Sequence, residues 1–338
     1  LMNRGQLSTV ADQVARLGPL AEEHAGALVV QGWIALFSGL YAESHRCVAR
    51  ARTLNPSNDE AGLSIALAIM TNLATGKVAN ALSEARSAGE PFESTQAMAL
   101  GGARIWAGDL DGARPFLEQA ERMAPDEGHL YVQVVAPIFS AIAHIEGNDT
   151  AAARTEAARA LDLVAHLGLG DLTQTALAHS VLARTTDEPD EAVAAATHGV
   201  ALVSRTPEPI LRAYVLASGG DVLSHHGHAD GVALIAEARR IIDECPDPGI
   251  AGRYLARVEA RHQFSTPPPV APELVEDLTD RELAVLRYLP SPMSQREIAN
   301  ELYVSLNTVK THCKAIYRKL GTGDRKAAVQ AARDHGLL

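Results

Sequence analysis

Towards the C-terminus of this chain, apolar residues recur at helical spacing behind explicit start signals. Thr279 followed by Glu282 reads as a capping box, opening a helix with Leu283, Leu286 and Leu289 as its apolar stripe. Ser294 with Glu297 repeats the signature before Ile298, Ala299 and Leu302. After a short turn at Tyr303 and Val304, Ser305 caps a third helix over Leu306 to Leu320, and Gly321 is placed to end it as a left-handed cap. Asp324 starts a fourth, carrying Ala327, Ala328, Val329, Ala331 and Ala332. The pattern predicts a four-helix unit at 274–338.

Upstream the pattern is longer. A turn holding Gly or Asp leads into a helix with Ala at spaced positions, often closed by Pro, as in GKVANALSEARSAGEP from Gly76 and GDLDGARPFLEQAERMAP from Gly108. The same unit starts at Gly39, Gly147, Asp187 and Gly227. The glycines at 39, 76, 108 and 147 are separated by 37, 32 and 39 residues, the period of stacked helical hairpins. Each hairpin exposes an apolar face that only a neighbour covers, so such units pile into a solenoid. Ala113 and Ala120, two turns apart on one face, let neighbouring helices approach closely. The segment resembles tetratricopeptide-repeat arrays, although the period varies and that family's first-helix Trp/Leu-Gly/Tyr pattern is poorly kept. The expected fold is all-α: an α-solenoid of about six hairpins over 1–262, then the four-helix unit. Gln263 to Pro272 (QFSTPPPVAP) holds four prolines, so no helix crosses it, and 263–273 reads as a semi-rigid linker.

Composition agrees with close helical packing, since hydrophobic residues make up 47% of the chain and aromatics only 4%. Three distant cysteines, Cys47, Cys245 and Cys313, suggest reduced thiols. No apolar run approaches the roughly 18–20 residues of a membrane span, and the opening LMNRGQLST lacks the pattern of a secretory signal, so a cytoplasmic location is expected. The chain begins with Leu, so a segment upstream is allowed for. The net charge of −11 argues against nucleic acid until it is divided along the chain. Residues 274–338 carry ten Lys/Arg against eight Asp/Glu, and Tyr303 to Leu320 hold four basic residues and no acid. An acidic body with one basic helix leaves a single surface for DNA.

That third helix has two faces. Val309, Cys313, Ile316 and Leu320 form a core stripe, while Lys310, Thr311, Lys314 and Arg318 lie on another side with Asn307 and Thr308 near the N-terminus. A helix of this kind fits the major groove of double-stranded DNA, its N-terminal half reaching base edges. Ser305, Thr308, His312 and the helix dipole are placed to hold phosphates. Lys319 belongs to the same basic run, which taken alone would read as a solvated face. Cys313 reads as a core residue in preference to a redox thiol.

The string LTDRELAVLRYL…SQREIANELYVSLNTVKTHCKAIYRKLG resembles the LuxR-type (NarL/FixJ-type) helix-turn-helix domain over about 60 residues. The resemblance implies a transcriptional regulator, with Lys310, Thr311 and Lys314 facing bases and Asn307, Thr308 and His312 on the backbone side. It further implies that the fourth helix, through Lys326, Val329, Gln330 and Arg333, forms the contact of a homodimer on DNA. Activation through RNA polymerase is the expected output, and a protein or small-molecule effector on the helical array the expected input. The sequence departs from the family at LPSPMS, Leu289 to Ser294, where a glycine-containing connection is usual, and at Cys313, where Leu or Val is.

No phosphate loop, GxSxG, HExxH or Rossmann fingerprint is present, so neither an enzyme nor a cofactor is expected. Regulators with a helical-repeat region before a LuxR-type domain often carry an ATPase upstream, and the chain then reads alternatively as the output part of a larger switch. A third reading is a protein-interaction scaffold that the DNA-binding domain localises. His225, His226 and His228 cluster at a turn, where exposed polar residues are ordinary and metal binding is the lesser reading. Trp33 and Trp106 read as packing between hairpins rather than as the lining of a ligand pocket.

Overall fold

Each glycine or aspartate turn anticipated upstream sits inside a helical hairpin. The computed structural model describes residues 12, 14, 16, 18–170, 172–204, 206–262, 278–291, 293–302, 304–320, 322, 324–334 and 337, in two units, Leu1–His262 and Gln263–Leu338. In the first, α1 (Ala25–Phe37) and α2 (Tyr41–Arg52) flank Gly39, and α3 (Asn58–Ala74) and α4 (Val78–Ser87) flank Gly76. Gly108 lies between α5 (Ser94–Ala107) and α6 (Leu110–Glu127), and Gly147 between α7 (Leu130–Glu146) and α8 (Thr150–Leu167). Asp187 separates α9 (Thr175–Thr185) from α10 (Pro189–Val203), and Gly227 separates α11 (Pro209–His225) from α12 (Asp230–Glu244). α13 (Gly249–Arg261) follows. Among the described residues there is no β-strand, and no helix is long and apolar enough to cross a membrane.

The two helices of a hairpin divide the packing between them. Second helices bury alanines, with Ala81, Ala113, Ala120, Ala153, Ala157 and Ala160 at 0% exposure. First helices fill the space this leaves with Leu67, Ile69, Met98, Ile138, Ile142 and Leu177. Proline does not close α6, which runs through Pro115 and Pro125 to a left-handed cap at Gly128. Its buried stripe of Ala113, Leu117, Ala120 and Ala124 is held by neighbours, and tertiary packing outweighs the two missing amide donors. At the fourth turn Asn148 (φ 65°), not Gly147, takes the left-handed backbone.

The solenoid curls until the turn before α13 lies on the turn edge of its second and third hairpins. Val78 N–H donates to Asp247 O (3.2 Å) and Asp247 N–H to Gly76 O (2.9 Å), an isolated parallel bridge. Asp247 Oδ2 also accepts the Ala79 N–H at 2.6 Å and so caps α4 from 168 residues away. Next along the edge, Arg253 Nη2 donates to Ala107 O at 3.0 Å. Gly249 (φ 56°) passes so near α5 that a Cβ there would stand 2.1 Å from Trp106 O. Inside this seam Trp106 meets Tyr214 edge-on, ring centres 5.8 Å apart. Glu146 at the end of α7 accepts from Tyr214 OH (2.6 Å) and Arg184 Nη1 (3.2 Å) and pairs with Arg257 of α13. Burial pushes the Glu146 carboxyl up, but Arg184, Tyr214 and Arg257 outweigh it and hold the group below its ordinary value.

The second unit contains α14 (Asp280–Leu286), α15 (Gln295–Glu301), α16 (Leu306–Lys319) and α17 (Arg325–Asp334). Both anticipated capping boxes form, at Thr279 with Glu282 and at Ser294 with Glu297. Val285, Leu286, Leu289, Ile298, Ala299, Val309, Cys313, Ile316, Leu320, Ala328 and Ala332 make one core. Val285 takes the buried place expected of Leu283, which packs at the edge, because α14 ends at Leu286 and the following turn brings Leu289 back inside. The linker 263–273 and Gly321 lie outside the described residues.

Candidate nucleic-acid interface

The second unit presents α16 by its ends. At the N-terminus Ser305 Oγ accepts the Thr308 N–H at 3.1 Å and lies 2.7 Å from Thr308 Oγ1, so both hydroxyls serve the cap. At the C-terminus Lys319 turns inward, 8% exposed, and its Nζ donates to Glu282 Oε2 at 2.9 Å. The same oxygen accepts from Thr279 N–H (2.8 Å) and Oγ1 (2.9 Å), so one carboxylate joins the cap of α14 to the last turn of α16. Burial pushes the Glu282 carboxyl up, but Thr279 and Lys319 outweigh it and hold the group below its ordinary value.

Between these anchors the faces of α16 separate cleanly. Val309, Cys313, Ile316 and Leu320 are buried, and Asn307, Lys310, Thr311, Lys314 and Arg318 form an exposed stripe on the other side. Thr308 and His312 are half-buried along its border, and Ser305 is exposed at its head. Thr311 Oγ1 donates to Asn307 O at 3.0 Å, which leaves the Thr311 methyl as its outward group. Two positive side chains a helical turn apart, with amide and methyl groups between them, present both donors and apolar contact to whatever lies against the helix. Residues 276–332 match the family described as bacterial regulatory proteins, luxR family.

The unit is a LuxR-family helix-turn-helix domain. Within it, the residues expected at the DNA, Ser305, Asn307, Thr308, Lys310, Thr311, His312, Lys314 and Arg318, lie together on or beside one face of α16. Lys319 does not join them. It sits one turn after Ile316, on the core side, and the helical wheel alone separates it from the exposed stripe. Cys313 is 2% exposed and burial pushes its thiol up, as suits a core side chain. Val329 packs partly against the LuxR domain's own core, and the side chains of Lys326, Gln330 and Arg333 lie outside those described.

One residue of the domain escaped sequence reasoning. Arg325, at the start of α17, donates to the carbonyls of Leu289 (2.8 Å), Met293 (2.6 Å), Ser291 (2.7 Å) and Tyr288 (3.3 Å). Its guanidinium thus organises the proline-bearing connection that departs from the family pattern. A planar group with five donors satisfies several carbonyls at once, and no local spacing announces that use. In the array, His225 and His226 meet edge-on, 5.1 Å between ring centres. Among the described residues no group of three or more His, Cys, Asp or Glu is placed to hold a metal ion.

Proposed function

We propose that the chain is a sequence-specific transcriptional regulator in which α16 enters a major groove. Lys310, Thr311 and Lys314 read base edges, and Asn307, His312 and Arg318 hold the flanking backbone. Ser305 and Thr308 fix the first turn, whose remaining amides face a phosphate. The observation that carries this is the exposed stripe of α16, opposed to a fully buried one, within a LuxR-family domain. Two copies meet through α17 on a two-fold or repeated site, the output is activation through RNA polymerase, and the array is the sensing half.

Selection of bound sequences from a random DNA pool by the intact chain tests this. Enrichment of a motif is expected, and Lys310→Ala or Lys314→Ala should each weaken binding to it by about 1–3 kcal/mol while relaxing its preference. Arg318→Ala should weaken binding to all sequences alike and flatten the salt dependence. An unchanged preferred motif in the Lys310/Lys314 double variant overturns the assignment of base reading.

A further inference from the structure

The curled array holds a solvent-open cavity of about 450 Å³, the size that takes a drug-sized molecule. Hairpin helices wall it, and the connections before α9 and α11 supply Thr173, Gln174, Thr206, Pro207 and Glu208. Most of the lining is apolar or aromatic, and among the described residues Glu208 is its one carboxylate. An acid in such a wall ordinarily meets a cation of the protein. Here, among the described residues, Glu208 has Gln174 Nε2 at 3.5 Å and no positively charged partner. Two phenols stand within reach of its charge, since Tyr41 and Tyr131 are each displaced upward by burial and then by Glu208. Phe37 lies 42% exposed at the cavity and meets Tyr131 edge-on at 5.8 Å.

We propose that this cavity binds a small organic amine, its ammonium paired with the Glu208 carboxylate and its apolar body among Phe37, Trp106, Tyr131 and Phe139. The argument is one of complementarity. An unpaired carboxylate in an apolar wall is costly until a cation reaches it, and desolvation makes their attraction strong when one does. Aromatic faces beside the acid add attraction for the same charge. An anion would meet the acid's repulsion, and a neutral apolar molecule would leave it uncompensated. Burial pushes the Glu208 carboxyl up to about 7, so the group is poised to ionise when a cation arrives. The strongly acidic array also draws cations towards the opening.

The proposal rests on the reading of the array as the sensing half only for its consequence at the DNA. Isothermal titration of the intact chain tests the site itself, with tryptamine, the neutral alcohol tryptophol and the anion indole-3-acetate as probes of one shape. Tryptamine should bind one per chain, tryptophol at least tenfold more weakly, and indole-3-acetate not at all. Glu208→Gln should weaken tryptamine at least tenfold and leave tryptophol unchanged, the alcohol reporting that the cavity is intact. Equal binding of amine and alcohol, no loss in Glu208→Gln, or no binding of tryptamine overturns the proposal. Tryptamine binding without any effect on affinity for the selected DNA keeps the site and removes its sensing role. A selected DNA motif with no amine binding keeps the regulator and removes the site.

Discussion

Glu282 carries more of the DNA-binding domain than its place in a capping box suggests, because the buried Lys319 ammonium rests on the same oxygen. Removing one partner of a buried pair strands the other, so Lys319→Ala should cost this domain about 3 kcal/mol. The double variant Glu282→Gln/Lys319→Met should recover part of that loss in urea unfolding of the intact chain. Both tryptophans, Trp33 and Trp106, belong to the array, so circular dichroism set against tryptophan fluorescence assigns the transition. Two carboxyls in the array act in the opposite sense. Burial raises Glu208 to about 7, and burial with the charge of Glu127 raises Glu93 to about 7, both from an ordinary 4.5. Between those values the folded array keeps protons that the unfolded chain has released. Its stability from this source is full below about pH 4.5 and falls as pH rises through 7. Glu208→Gln should therefore match the parent near pH 5 and melt at a higher temperature near pH 8. A melting difference that stays constant across this range would contradict the assignment.

At the scale of elements, helices whose evidence is periodic were legible in advance. The buried stripe of α16 is the one that spacing alone picks out, and six spaced turns mark six hairpins, because a 3.6-residue repeat and a turn residue are local properties. Leu283 and Val285 exchanged places because α14 is only seven residues long, and so short a stripe fixes its face poorly. Contacts between distant segments left no trace in the pattern. Arg325 reaches carbonyls 32 to 37 residues before it. The carbonyls of Leu289, Ser291 and Met293 lose this donor together if it is cut back, so Arg325→Ala should destabilise the domain by about 2 kcal/mol and loosen the start of α17. Faster amide hydrogen exchange in α17 and in 289–294 of the intact chain is the expected reading. Exchange that changes nowhere in these segments would show the guanidinium to be dispensable.

For the array as a whole, the seam through Asp247, Gly249 and Arg253 decides the shape, and it was invisible to a repeat analysis that compares each unit only with its neighbours. Gly249→Ala places a side chain in a left-handed backbone and against Trp106 O, and should cost about 2 kcal/mol or more. The fluorescence of Trp106, which sits in the seam, should shift to longer wavelength as the ends part. An open stack of hairpins gains or loses a unit with little penalty, since each touches only the next. This array has returned to its own second and third hairpins, so its length is counted. Inserting one more hairpin would carry Asp247 past α4 and Arg257 past Glu146. Lineages descended from this chain are therefore expected to vary in the loops and surfaces of the hairpins while keeping their number.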